Sequence, residues 1–372
     1  MEHRQLAKKS RADTRSISAL LVTENRRVRQ RLLDLAASAD VRVQVVATIT
    51  QPHLPDPPLY LFGDDCAHLA SAIPHDAHAV IIHLDAPQPN RPGATTPTYS
   101  LNGQEREVLQ ALTRAANAAD RQGTVILVEG ITGGAGATVA ALLLAATYAG
   151  SNHNTFLVES GRTQATIELA LGLENTTGTR WPDLTLPSGD LVDSPNPQAL
   201  EAALLRWRSL GILAQRAGAS SPGLTTVAEV VTGLARAPGI VILDGGAQAG
   251  ASAWEAVGLR ADICVWVVPR TVAAVVNAHG ALENIRGRSP LILTRGSAGG
   301  VLSQRDVQRA LDARIVGELP DIPRLQALLD RGRGLPGPRA RCWAPMEVLA
   351  SKILAQISAQ PRSQRLERVL VS

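Results

Sequence analysis

A strand, a glycine-rich loop and a helix follow one another directly in TVILVEGITGGAGATVAALLLAATYAG, residues 124–150, and this segment constrains the fold most. Gly133, Gly134 and Gly136 allow the backbone to turn tightly, so that its N–H groups can face one point. A helix from Thr138 adds its positive N-terminal end. A glycine loop in this context predicts a phosphate cradle, and the alternative is a tight turn that binds nothing.

Further apolar runs follow the glycine loop. They read TFLVE (155–159), GILAQ (211–215), GIVILD (239–244), ICVWVV (263–268) and PLILT (290–294), with a shorter candidate at 314–316. They are apolar on both faces, as expected of parallel strands that helices cover on both sides. We therefore predict an α/β domain over residues 123–335, followed over 336–372 by a loop, an amphipathic helix at 347–357 and a basic tail.

A smaller parallel α/β domain is predicted in front, over residues 17–100. Its strand-like runs are SALLVT (18–23), VRVQVVATI (41–49), LYLFG (59–63) and HAVIIHL (78–84), and they alternate with helical stretches at 25–37 and 64–72. Residues 86–100 hold four prolines and read as an irregular loop. A helix at 103–119 is predicted to lie in a linker over 101–122.

Almost all of the positive charge on this chain comes from arginine. Lys8, Lys9 and Lys352 are the only lysines, so a lysine ammonium needed within residues 10–351 must come from another molecule. Residues 1–16 carry five bases and two acids, and residues 324–372 carry nine bases and three acids, which leaves the body between them acidic. We therefore expect residues 1–16 to be a disordered basic tail and nucleic acid to be an improbable partner.

The cysteines and histidines predict neither a metal site nor a disulfide framework. Cys66, Cys264 and Cys342 are far apart and odd in number, which suits a reducing cytoplasm better than a disulfide framework or a zinc site. His68 and His83 have no clustered Cys or His partners. The N-terminus shows no apolar signal region and the longest apolar stretch, 139–149, is too short to span a bilayer. We expect a cytoplasmic protein that is at most peripheral to the inner face of the membrane.

The glycine loop resembles the deviant Walker A loop of the MinD/ParA superfamily, Lys-Gly-Gly-x-Gly-Lys-Thr/Ser. Thr132 stands at the first lysine of that pattern, Ala137 at the lysine that grips phosphate, and Thr138 at the residue that ligates Mg²⁺. The resemblance implies a P-loop domain that binds ATP or ADP with Mg²⁺, and the two absent lysines imply that this binding is weak. Arg162 or Arg295 could in principle supply charge to a phosphate.

Other segments resemble superfamily landmarks in the same order along residues 123–335. FLVESGRTQATIELALGLE (156–174) is similar to its Val-Asp-x-Asp segment, with Glu159 and Gly161 at the two aspartates. IVILDGG (240–246) places Asp244 at the Mg²⁺-associated aspartate, and residues 260–282 and 310–332 resemble its closing segments. The second aspartate organises the attacking water in the family, so Gly161 implies little or no hydrolysis.

Within the superfamily, the chain looks like the actinobacterial CpaE-like, septum-site-determining proteins, relatives of the TadZ/CpaE localisation factors of Flp/Tad pili. The lysine-less loop, the GTRWPDL segment at 178–184 and the α/β domain in front carry this resemblance. In TadZ/CpaE proteins the front domain is receiver-like. Here the lysine of a working receiver is absent, and Asp64 is more simply a helix N-cap than a phospho-acceptor. We therefore interpret the front domain as a degenerate, receiver-like interaction module.

The resemblance implies a regulator that acts on protein partners of the division or pilus/secretion machinery, could form a homodimer, and has weak or no ATPase activity. Two alternatives stay open: an ATP-dependent dimerising switch, and a ParA-like DNA-binding partition protein. Arg180, Trp181 and Asp183 either form a partner or dimer loop or pack locally with Trp181 as the anchor. The terminal helix either lies on a membrane surface or docks on the body, which we favour.

Overall fold

The computed structural model describes residues 17–39, 41–46, 57, 59–73, 78–85, 96–119, 122–160, 166–184, 197–247, 261–283, 289–296 and 302–358. The predicted tail over residues 1–16 lies outside these ranges. Contacts divide the chain into two units, one made chiefly of residues 1–121 and the other chiefly of residues 122–360. Each unit has its own sheet and its own apolar core.

The first unit contains a five-stranded parallel sheet in the order β2-β1-β3-β4-β5. Its strands are β1 (Ala19–Val22), β2 (Val43–Val46), β3 (Leu59–Gly63), β4 (Ala79–His83) and β5 (Thr98–Ser100). Its helices are α1 (Arg26–Ser38) and α2 (Glu105–Ala119), and a 3-10 helix spans Asp64–Ala72. This strand order is that of the flavodoxin-like doubly wound folds.

The structure differs from the sequence-based expectation for the end of this unit. Strand β5 lies inside the stretch 86–100 that we predicted as an irregular loop. Helix α2 is not a linker, because its Val108 and Leu112 side chains are buried in one core cluster with Val28 and Leu32 of α1. The amphipathic face of α2 therefore belongs to the first unit.

Asp65, in the first turn of the 3-10 helix, ties β3 to the end of β1. Its carboxylate accepts hydrogen bonds from the Thr23 hydroxyl at 2.8 Å and from the Glu24 and Asn25 N–H groups at 2.6 and 3.2 Å. A Cβ at Gly63 would lie 2.2 Å from Asp65 Oδ1, so glycine is needed beside this carboxylate.

Asp64, the neighbouring candidate phospho-acceptor, is exposed, and its Oδ2 lies 3.8 Å from His83 Nδ1. The N-cap of this 3-10 helix is Gly63, so the N-cap prediction for Asp64 is wrong by one residue. Asp64 instead lies in the first turn, where a negative charge is favourable.

We expect Asp65→Asn to lower the free energy of unfolding of the first unit by about 1 kcal/mol at neutral pH. Partial burial raises the pKa of Asp65, but hydrogen bonds from Thr23, Glu24 and Asn25 outweigh it and hold the pKa below its ordinary 3.8. The stabilisation is therefore present above that value and is lost as the pH falls through the depressed folded-state pKa. Thermal unfolding at pH 7 and pH 3 measures the difference, which should shrink at pH 3. Asp64→Asn is the control, and an Asp65→Asn effect that does not depend on pH would contradict the argument.

The second unit is built on an eight-stranded sheet in the order β13-β12-β11-β6-β10-β7-β9-β8. Its strands are β6 (Thr124–Gly130), β7 (Thr155–Glu159), β8 (Leu205–Trp207), β9 (Leu210–Leu213), β10 (Ile240–Ala247), β11 (Ile263–Pro269), β12 (Leu291–Arg295) and β13 (Ile315–Leu319). Neighbouring strands are parallel except for the antiparallel pair β8–β9 at one edge.

Along the chain, the helices of this unit lie between its strands, except that the last two helices follow β13. They are α3 (Ala137–Gly150), α4 (Thr166–Leu171), α5 (Pro197–Ala203), α6 (Leu224–Leu234), α7 (Val272–Glu283), α8 (Gln304–Leu311), α9 (Leu325–Leu329) and α10 (Trp343–Ser358), with a 3-10 turn at Trp181–Asp183. All the strands predicted for this unit are present. We had predicted neither β8 nor α5.

Helices cover both faces of this sheet, as the apolar strands predicted. On one face Ile126 and Val128 of β6 pack in a cluster with residues of α3 and α10, and on the other Val125 and Leu127 pack with residues of α6. Met346 and Ile353 of α10 are fully buried. The terminal helix therefore docks within the unit. In the described part of the chain, no helix is both long and apolar enough to cross a membrane.

Candidate functional site

The glycine loop joins β6, the fourth strand across the sheet, to the N-terminus of α3. Gly134 and Gly136 have φ values of 74° and 99°, in the left-handed region that favours glycine. The Ile131 N–H donates to the Val267 carbonyl at 3.2 Å and anchors the start of the loop to β11. A Cβ at Gly133 or Gly134 would meet no heavy atom within 4 Å. The space beside these two glycines is open rather than filled.

Thr138 and Asp244 lie together beneath the loop. Thr138 is in the first turn of α3, and its side chain lies beside the Asp244 carboxyl group at the end of β10. Asp244 Oδ1 also accepts the Gly246 N–H at 3.0 Å. Asp244 Oδ2 is buried and has no hydrogen-bond partner among the described residues. A buried carboxylate oxygen in this state is costly unless a proton or a cation meets it.

The surroundings of Asp244 fit a divalent cation. Burial raises the pKa of Asp244, and the hydrogen bonds from Thr138 and Gly246 only partly oppose this shift. Mg²⁺ prefers hard oxygen ligands and is usually held by one or two carboxylates together with phosphate oxygens and water. The Thr138 hydroxyl and Asp244 Oδ2 are the groups of this chain that would hold it. Elsewhere in the described residues, no group of three His, Cys, Asp or Glu side chains could hold a metal.

Glu159, which stands at the first aspartate of the family's Val-Asp-x-Asp segment and is a switch-like candidate, ends β7 directly opposite Asp244 in the strand register. Its side chain is fully buried, and its Oε2 accepts the Gln215 N–H at 2.9 Å. Its backbone carbonyl accepts the Trp181 indole N–H at 2.7 Å. Glu159 therefore ties the end of β7 to two later segments of the chain. Gly161 and Arg162 lie outside the described residues.

The two positions of the absent lysines carry no charge, and an arginine lies close by. Ala137 is buried. A Cβ added at Gly130 would lie only 3.4 Å from the Cβ of Ala137. Thr132 is half-buried, and its carbonyl accepts the Ala135 N–H at 3.2 Å. Arg295, at the end of β12, brings its Nη1 to 3.2 Å from the Gly134 carbonyl oxygen.

The GTRWPDL segment is used inside the unit. Arg180 is buried and forms an ion pair with Glu168 of α4, which is also buried. Trp181 is buried, and its indole N–H donates to the Glu159 carbonyl. The partly exposed Asp183 forms an ion pair with Arg216 at 2.9 Å. These contacts agree with the packing alternative, with Trp181 as the anchor, and the partner loop stays a prediction. Sequence reasoning missed Glu168, although an acidic residue inside the apolar run TIELAL was an available signal.

Solved structures of other proteins share the fold of part of this chain. The chain aligns with a chain of the MinC:MinD cell division protein complex of Aquifex aeolicus at a TM-score of 0.50 and 20% identity, over 63% of this chain and 96% of that chain. The MinD cell division protein of the same organism aligns with a TM-score of 0.48 at 20% identity, over 63% and 98% of the two chains. The first of these likenesses confirms the predicted α/β fold of the MinD type.

Sequence relatives give the family. The chain is 30% identical over 267 residues to the uncharacterized protein Rv3660c of Mycobacterium tuberculosis strain H37Rv, and equally to its counterpart MT3760 in strain CDC 1551. The match covers 70% of this chain and 71% of the relative. The chain therefore belongs to the family of Rv3660c. No protein-family model matches it.

Proposed function

We propose that this protein is a MinD/ParA-like regulator with a degenerate nucleotide site, which acts on protein partners in septum-site selection or in positioning a Flp/Tad-type pilus or secretion apparatus. One observation carries the proposal: the buried Asp244 carboxyl group lies beside Thr138 with its Oδ2 unpartnered among the described residues, whereas Thr132 and Ala137 supply no cation. Catalysis in phosphoryl-transfer sites is mostly positioning and charge stabilisation. A site reduced in this way can hold a nucleotide weakly and turn it over very slowly.

Other observations support a CpaE-like role within this class. The sequence relative comes from an actinobacterium, as the CpaE-like resemblance implies. The Aquifex structure that shares the fold is a cell-division complex of MinD with a protein partner. A bound Mg²⁺ would neutralise phosphate charge, and the N–H groups of the glycine loop would face the phosphate oxygens.

We further propose that the first unit is an interaction module derived from a receiver. Its strand order is the one that receivers share with flavodoxins. The Asp65 carboxylate is already engaged by Thr23, Glu24 and Asn25. The residue that ends β5 is Ser100, and the first unit contains no lysine from residue 17 onward. These features support binding to partners rather than phosphorylation.

We expect the steady-state ATPase rate of the wild-type protein to equal that of Asp244→Asn within error, because the charges that stabilise transfer are missing. We also expect calorimetry with ATP to detect weak binding that requires Mg²⁺ and disappears on addition of EDTA and in Thr138→Ala. Turnover clearly above the Asp244→Asn rate would contradict the proposal and favour the ATP-dependent dimerising switch. Salt-dependent retention of duplex DNA by a variant without residues 1–16 and 359–372 would favour the DNA-binding alternative.

A further inference from the structure

The guanidinium of Arg295 lies against the glycine loop. Its Nη1 is 3.2 Å from the carbonyl oxygens of both Gly134 and Ala135. A Cβ at Gly136 would lie 2.6 Å from Nη1 and 3.3 Å from Cζ, so the guanidinium packs directly on the backbone of the residue that caps α3. A positive group is therefore held at the positive end of a helix, which is unfavourable unless an anion lies there as well.

Among the described residues, the contacts of Arg295 supply no counterion for its charge. Both of its acceptors are carbonyl oxygens, and no carboxylate in the described part of the chain pairs with it. Neighbouring Arg270 differs, because its Nη2 lies 2.9 Å from the Glu318 carboxylate. A guanidinium has five N–H donors, and Nη1 carries two of them. Among the described residues, the three donors on Nε and Nη2 of Arg295 have no partner, and they could serve a ligand.

A second observation points to a ligand at the same end of α3. Asp244 is only 1% exposed, and its Oδ2 has no hydrogen-bond partner among the described residues. Thr138, in the first turn of the helix, lies beside this same carboxyl group. The helix end thus combines a cation that lacks an anion with a carboxylate oxygen that lacks a cation. A phosphate group bound together with a divalent metal satisfies both.

We infer that Arg295 is the phosphate-binding cation of this site, in place of the absent lysines at positions 132 and 137, and that the ligand is a Mg²⁺-bound nucleoside di- or triphosphate. The inference rests on the nucleotide site proposed above. Arginine suits this role because its planar fork can donate two parallel hydrogen bonds to phosphate oxygens. Gly136 is part of the arrangement, since any side chain there would take the space of the guanidinium.

The test is the affinity of the full-length protein for ATP, measured by equilibrium calorimetry with and without Mg²⁺. We expect Arg295→Gln, which removes the charge, to weaken binding by about 10- to 100-fold, and Arg295→Lys to retain part of the affinity. Arg309→Gln is the matched control, because Arg309 is 81% exposed and lies on α8. Thermal unfolding should be nearly the same for all three variants, because the Arg295 side chain is exposed.

Two results would overturn the inference, and they are distinguishable. If the wild type binds Mg²⁺–ATP and Arg295→Gln binds it equally well, the site holds phosphate without Arg295, and the proposed function stands alone. If the wild type shows no Mg²⁺-dependent binding of ATP, the proposed nucleotide site fails and this inference fails with it.

Discussion

Replacing Arg180 with methionine is expected to lower the free energy of unfolding of the second unit by about 3–5 kcal/mol. The side chains of Arg180 and Glu168 are 6% and 5% exposed, so the substitution leaves a buried carboxylate without its partner. The Arg180 guanidinium also donates to the carbonyl oxygens of Leu173, Glu174 and Gly178. Chemical denaturation followed by tryptophan fluorescence measures the loss.

Three further variants separate the buried pair from a general effect of losing an arginine. Glu168→Met should cost about as much as Arg180→Met, and the double variant should recover part of the loss, because no unpaired charge then remains buried. Arg216→Met is the control, since the Arg216 and Asp183 side chains are 49% and 37% exposed and such a pair contributes at most about 1 kcal/mol. A loss in Arg180→Met no larger than that in Arg216→Met would contradict the packing role and revive the partner-loop alternative.

Restoring a lysine at position 137 is expected to tighten the binding of Mg²⁺–ATP by about 10- to 100-fold, because a charge-assisted hydrogen bond to phosphate contributes about 1.5–3 kcal/mol. Position 137 opens helix α3, next to Thr138, and the space beside Gly133 and Gly134 is open. Ala137 is itself buried, so some loss of stability of about 1–3 kcal/mol accompanies the larger side chain.

Ala137→Met is the matched control for this gain, because methionine adds similar length without the charge. Calorimetry should show tighter binding in Ala137→Lys alone. ATP turnover should stay at the Asp244→Asn level, because the resemblance places the water-positioning aspartate at Gly161 and lysine 137 does not replace it. Equal affinities for the lysine and methionine variants would show that residue 137 does not face the phosphates.

Sequence patterns predicted the sheet of the second unit well because its strands are long apolar runs. Strands β6, β10 and β11 contain seven or eight residues each, and almost every one is buried. Strands β5 and β8 have only three residues each and carry no usable periodicity. Their formation depends on pairing with a neighbouring strand, which a local pattern does not encode.

In the candidate site, too, some features could be predicted from the local sequence and others could not. Gly133, Gly134, Gly136 and Thr138 were recognisable because a glycine loop between a strand and a helix is local chemistry, formed within a few residues. Asp244 was recognisable as the acidic end of an apolar strand. The absence of a partner for its Oδ2 among the described residues was not recognisable, since it depends on burial by other elements.

The remaining features of the candidate site depend on contacts between residues that are far apart in the chain. Arg295 and Gly134 are 161 residues apart in the chain. They meet because β11 pairs with β6 in the sheet and β12 pairs with β11 on its other side. Trp181 and Glu159 are 22 residues apart, and the hydrogen bond between them packs the 178–184 segment against the end of β7. The local sequence by itself determines a P-loop-like turn without lysines, because the conformation of such a turn depends on residues that are close together in the chain. Strand order establishes which distant charge reaches that turn, because burial and pairing bring together groups that no local pattern connects.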